Sequence, residues 1–265
     1  MDKSKCIDLT RFCIDYTMNN MESELLTISQ TAEIIGVSIQ TLRRWDDSGK
    51  LRSIRKKKTT NRYYRKNDIE KFIQSNLKNL FRLAKKWTSN KSEEDLPSAF
   101  YCQDISIFQA RLSRLERDLG GIKKLNKIFP LISAITGEIG NNSFDHNLGN
   151  WLDMPGIFFA YDLNKGEVIL ADRGQGILTT LKKIRPKLSN DQDALKVAFT
   201  EIISGRAPEY RGNGLKFVRN VIANNEISLF FQTGNAQLKI KKNNSDLEIK
   251  KSNIHIQGCL ALIKF

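Results

Sequence analysis

The stretch Glu138-Ile139-Gly140-Asn141-Asn142-Ser143-Phe144-Asp145-His146-Asn147 decides how the larger part of this 265-residue chain is read. It continues an apolar helical run (Leu131, Ile132, Ile135), and Glu138, Asn142 and Asp145 stand at i, i+4 and i+7. At ~100° per residue the three fall within about 60° of arc on one helix face. That arc borders the stripe of Leu131, Ile132, Ile135 and Ile139 and does not oppose it. Polar side chains at the edge of a buried stripe tend to line a cleft, whereas a solvated face sits away from the stripe.

Further along, an apolar strand-like run ends in Asp172-Arg173-Gly174-Gln175-Gly176. Arg211-Gly212-Asn213-Gly214-Leu215 then opens a helical pattern through Val218, Val221 and Ile222. One glycine pair alone marks only a turn. Taken in order, Glu-x-x-x-Asn-x-x-Asp, Asp-x-Gly-x-Gly and Gly-x-Gly-Leu resemble the three boxes of the ATP-binding fold shared by Hsp90, type II topoisomerases, MutL and histidine kinases (the GHKL superfamily). The resemblance runs from about Ala99 to Phe265.

It implies a Bergerat-type α/β sandwich with ATP and Mg²⁺ as cofactors. Glu138 matches the position of the catalytic base, a role that needs a carboxylate within hydrogen-bond reach of water. Asn142 matches the metal position, where an amide oxygen suits a cation that keeps most of its waters and bridges phosphates. Asp172 corresponds to the acceptor for the adenine amino group, and Gly174 and Gly176 let the backbone approach the nucleotide. Gly212, Gly214 and Leu215 stand where a lid leads into a helix whose N–H groups meet phosphates. Asp145 matches a position near the nucleotide. Lys187, Arg206 and Arg211 are further cations for the phosphates or ordinary surface charges. The sequence holds only His146 and His255, neither placed as a phosphoacceptor, so a self-phosphorylating histidine kinase is not expected. Lys216 also departs from the family pattern, in which another glycine commonly follows.

The N-terminal part reads differently. Thr27-Ile28-Ser29-Gln30 has the form of a capping box opening a helix with Ala32, Ile34 and Ile35. Gly36 ends that helix, and Ser38 caps a second through Trp45, closed by Gly49. A basic stretch with Tyr63 and Tyr64 has the composition of a β-wing, and Asn67 to Glu70 repeats the capping box and starts a third helix containing Ile69, Phe72 and Ile73. The phrases Gly36-Val-Ser-Ile-Gln-Thr-Leu-Arg-Arg-Trp45 and Asn61-Arg-Tyr-Tyr64 resemble the winged helix of MerR-type regulators and excisionase-like proteins. Between Arg43 and Lys71 stand twelve Lys/Arg against four Asp/Glu, a net +8 of the chain's +14. A basic helix-turn-helix carries the electrostatic footprint of a double-stranded DNA binder. Gln40, Thr41, Arg43 and Arg44 are expected in the major groove, and Arg55, Lys56, Lys57, Lys58 and Arg62 at phosphates or the minor groove.

The expected fold class is α+β, in four parts: an N-terminal arm over 1–22, the winged helix-turn-helix over 23–78, a linker over 79–98 and the ATP-binding domain over 99–265. Ile105, Phe108, Leu112, Leu115, Leu119 and Ile122 alternate three and four apart, a stripe for core packing or for a homodimer, with Gly120-Gly121 favouring the core. Gly156 to Asp162 and Glu167 to Asp172 read as a hairpin, 177–211 as a lid with a helix near 193–203, and Ile227–Gln232, Ala236–Ile240 and Ile254–Phe265 as strands, with helices on one sheet face. No apolar run has membrane-spanning length, no signal-peptide core is present, and Cys6, Cys13, Cys102 and Cys259 show no metal or disulfide spacing, so a cytoplasmic protein is expected.

Three function classes follow. The first is a DNA-binding regulator switched by bound, slowly hydrolysed ATP. The second is a serine kinase like the anti-sigma-factor kinases, and the third an ATP-binding adaptor whose winged helix docks a protein partner. Transfer of phosphate to a protein marks the second, and salt-sensitive duplex binding excludes the third.

Overall fold

In the computed structural model Thr27 and Gln30 close a reciprocal cap: the Thr27 N–H donates to Gln30 Oε1 at 2.9 Å and the Gln30 N–H to Thr27 Oγ1 at 3.3 Å. The structure describes residues 25–35, 37–55, 61–66, 68, 69, 72, 80–89, 96, 100–201 and 214–265. These divide into two units, 25–72 and the remainder from residue 80.

In the first unit the Thr27 cap opens α1 (Ile28–Ile35), and Ser38, accepting from the Thr41 N–H at 3.0 Å, opens α2 (Ile39–Asp47). Strands β1 (Leu25–Thr27), β2 (Ile54–Arg55) and β3 (Arg62–Arg65) form an antiparallel sheet in the order β1-β3-β2. Ala32, Ile35, Leu42, Trp45, Leu51, Tyr64 and Ile69 close the core between helices and wing strands. This is the winged helix-turn-helix expected. The second capping box, begun by Asn67 and closed by Glu70, lies outside the described residues.

The second unit is built on an antiparallel sheet in the order β4-β5-β6-β8-β7: β4 (Tyr101–Cys102), β5 (Ile157–Asp162), β6 (Glu167–Asp172), β7 (Ser228–Ile240) and β8 (Glu248–Lys264). Successive strand residues point to opposite faces. Ile157, Phe159, Val168, Leu170, Leu229, Phe231, Ala261 and Ile263 meet α4 (Ile105–Gly120), α5 (Phe129–Asn147), α7 (Asp191–Thr200) and α8 (Gly214–Ala223) in one core, with α6 (Gly176–Lys182) beside α7. Most of the heptad-like stripe on α4 is core packing: Phe108, Leu115 and Leu119 are fully buried, while Ile105 at its start is exposed.

Helices were expected on one sheet face only, and the structure differs. The alternate residues Phe158, Ile169, Ala171 and Leu260 are equally buried, because α3 (Leu80–Ser89) lies along β5, β6 and β8. Leu80, Ala84 and Trp87 form its inward face, and Phe81 meets Phe230 edge-on at 5.4 Å. Residues 79–98 therefore do not act only as a linker: part of this run is a structural layer of the second unit, since its apolar stripe must be covered. Two further expectations change. Residues read as two strands on either side of Gly234 are one strand, β7, carrying a bulge at Gly234 (φ 51°), where the register to β8 shifts. The segment after Gly176 holds α6 in addition to α7, while Arg206 and Arg211 lie outside the described residues. The β5–β6 hairpin turns as expected: Asp162 Oδ1 accepts from the N–H of Asn164 and Lys165, and Gly166 takes φ 62°.

Candidate functional site

Glu138, Asn142, Asp145, Asp172, Gly176, Gly214 and Leu215 line one cavity of about 410 Å³ in the second unit. The sequence-predicted boxes thus converge from α5, from the end of β6 and from the start of α8. Gly212 lies outside the described residues, and Lys187 does not line the cavity, whereas Lys183 does.

Asp172 anchors the floor and is 1% exposed. Its Oδ2 accepts from Ser143 Oγ at 2.8 Å; its Oδ1 accepts from the Gly174 N–H at 2.9 Å and from Asn147 Nδ2 at 3.4 Å. Burial pushes its carboxyl up to about 6, against the pull of those donors and of the Cys259 backbone N–H. Asn147 holds the turn from the other side, accepting from the Gln175 N–H at 2.9 Å. A Cβ on Gly174 would come 2.0 Å from Asn147 Nδ2, so the glycine is required by close approach. Thr233 Oγ1 accepts from the Ile177 N–H and donates to the Gly258 carbonyl, tying the first turn of α6 to β7 and β8.

At the other end Asn142 Nδ2 faces Glu138 Oε1 at 3.4 Å, which turns the amide oxygen away from that carboxylate. A Cβ on Gly214 would stand 1.6 Å from Glu138 Oε1, so the start of α8 is packed against the proposed base. Asp145 and His146 are exposed at the cavity wall. A buried acceptor, an amide oxygen, and a carboxylate packed against a helix start line one cavity and form a donor set that fits a nucleotide with its divalent cation.

Ser143, Asn147, Thr233 and Cys259 were missed as site residues. For Ser143 and Asn147 the signal was present: they continue the buried positions Ile135 and Ile139 at four-residue steps, and polar residues at core positions of a helix need partners. Thr233 and Cys259 carried no such pattern.

On the first unit, Gln40, Arg43 and Arg44 are exposed along one face of α2. Thr41 is not on that face. It is 6% exposed, with its hydroxyl 2.9 Å from Ser38 Oγ, because the third residue after a serine cap turns back to it. Arg62 is also committed elsewhere, donating through Nε to Asp46 Oδ2 at 2.6 Å and through Nη2 to Asp47 at 3.0 Å. Burial of Asp46 would raise its carboxyl, but the Ser53 N–H and the Arg62 guanidinium hold it below the ordinary carboxylate range. Arg55 is exposed at the wing, and Lys56, Lys57 and Lys58 lie outside the described residues.

Comparison with known proteins adds the following. The chain is similar to the 43K ATPase domain of Thermus thermophilus gyrase B, solved with an aminocoumarin, at 15% identity and a TM-score of 0.32, over 56% of this chain and 39% of that one. It is similar to the type II methyltransferase M.Eco47II of Escherichia coli, 45% identical over 56 residues, which is 21% of this chain and 13% of the methyltransferase. The chain thus spans only a small part of that relative. Residues 26–74 match the model of the MerR HTH family regulatory proteins, and this stretch is a MerR-type helix-turn-helix module.

Proposed function

We propose that the protein is a duplex-DNA-binding regulator whose second unit binds ATP with Mg²⁺ and hydrolyses it slowly. The observation that carries the nucleotide reading is the convergence of Asp172, Asn142 and Glu138 on one cavity at the start of α8. Asp172 accepts the hydrogen bond of the adenine amino group. Asn142 offers its amide oxygen to the cation, and Gly214 brings the α8 backbone to the phosphates. Glu138 orients a water and takes its proton as the terminal phosphate is attacked. Bound Mg²⁺ supplies charge neutralisation of the phosphates.

On the first unit, Gln40, Arg43 and Arg44 face the major groove, with Arg55 and the neighbouring lysines on phosphates. Bound ATP switches conformation or oligomeric state, which requires that it bind one state more tightly than the other. Phosphate release is measured beside duplex affinity with and without ATP. Glu138→Ala should bind ATP without turnover, and Arg43→Ala with Arg44→Ala should lose duplex affinity while keeping ATP. Turnover surviving Glu138→Ala would remove that residue from the role of base.

A further inference from the structure

Arg173 stands between Asp172 and Gly174, and strand alternation turns it to the sheet face opposite Asp172. There it is 2% exposed. Its Nε donates to Asp153 Oδ2 at 2.9 Å, joined by Nη2 on the same oxygen, while Nη1 donates to the Trp87 carbonyl in the last turns of α3. The guanidinium also stands 5.8 Å from the Trp87 ring centroid. The Arg173 carbonyl accepts from Gln257 Nε2 of β8 at 2.8 Å. Asp153 follows Leu148 and Asn150, both at the cavity wall.

One side chain therefore joins three segments: the glycine turn under the cavity, the loop at the cavity wall and the end of α3. A buried ion pair commonly contributes no more than well-packed apolar side chains of the same volume. A methionine would fill the space under α3 without the charge.

Building on the nucleotide reading above, we propose that Arg173 is a positioning residue that couples the cavity to α3. The turn that presents Asp172 to the nucleotide on one face grips the Trp87 carbonyl through Arg173 on the other. Occupancy of the cavity then changes how firmly α3 is seated.

The test is hydrogen exchange on the full chain, with and without saturating ATP and Mg²⁺, alongside calorimetry that reports nucleotide binding directly. In wild type the exchange of amides in 80–89 should change by about fivefold or more with ATP. Arg173→Met should lose that response at saturating ATP, and Arg173→Lys, which can reach one acceptor but not fork between both, should recover part of it. Should Arg173→Met fail to fold, Asp153→Asn weakens one arm of the fork and should reduce the response. An α3 that ignores ATP in a wild type that binds it overturns the coupling alone, as does a full response in Arg173→Met. A wild type that binds no ATP overturns the nucleotide reading, and the coupling with it.

Discussion

Asp172 is the side chain whose ionisation the nucleotide reading depends on. Its carboxyl titrates at about 6, above its ordinary value of 3.8, because burial disfavours the charge. The ionised carboxylate is the stronger acceptor for an adenine amino group, so ATP affinity should be highest above pH 6 and fall as pH drops through about 6. For the empty protein the sign reverses. A folded value above the unfolded one means that the folded state takes up the proton first. This group's contribution to stability is therefore fully present below 3.8 and lost as pH rises through about 6. Urea unfolding of wild type against Asp172→Asn at pH 4.5 and 7.5 isolates that contribution. On the first unit, Arg62→Ala should lower the midpoint of thermal unfolding, because it strips a charged partner from half-buried Asp46. Spacing and charge made Glu138, Asn142, Asp172 and the exposed face of α2 legible in the sequence. Thr41 and Arg62 were not legible as structural residues, since a threonine after a serine cap and an arginine in a basic run look the same whether they turn inward or outward.

Among the elements, α5 carries both the core stripe and the polar edge, and its glycines show how tightly the two are set. A Cβ on Gly140 would lie 2.1 Å from Phe108 Cζ of α4, a fully buried ring. Gly140→Ala should therefore destabilise the second unit by about 1–3 kcal/mol through overpacking, read by denaturant midpoint. Gly214→Ala is different, because the Cβ meets the far end of a flexible side chain, Glu138 Oε1. That variant should fold with nearly unchanged stability while phosphate release falls by about 100-fold or more, the loss of a displaced base. The amphipathic stripes of α4 and α5 and the hairpin turn at Gly166 were readable because period and turn chemistry are local. The place of α3 was not: an apolar stripe announces that a helix is covered, but not by which face of which sheet. Gly234 likewise has the signature of a turn, and only the pairing partner β8 makes it a bulge.

For the whole molecule, a MerR-type module and the cavity lined by Asp172, Asn142 and Glu138 stand on one chain of net charge +14, of which the short basic segment supplies most. Duplex affinity should fall steeply with salt, and Arg43→Ala should reduce the slope of log K against log salt by about one phosphate contact. Order along the chain made the two-unit architecture legible, whereas the depth of the second unit, with α3 on its far face, needed the fold. The most direct test is calorimetric titration of ATP with Mg²⁺ into wild type and Asp172→Ala at pH 7.5. Saturable binding in wild type, weakened about tenfold or more in the variant by loss of a buried acceptor, is the predicted result. Equal binding by both proteins, or none by wild type, would contradict a nucleotide site built on Asp172.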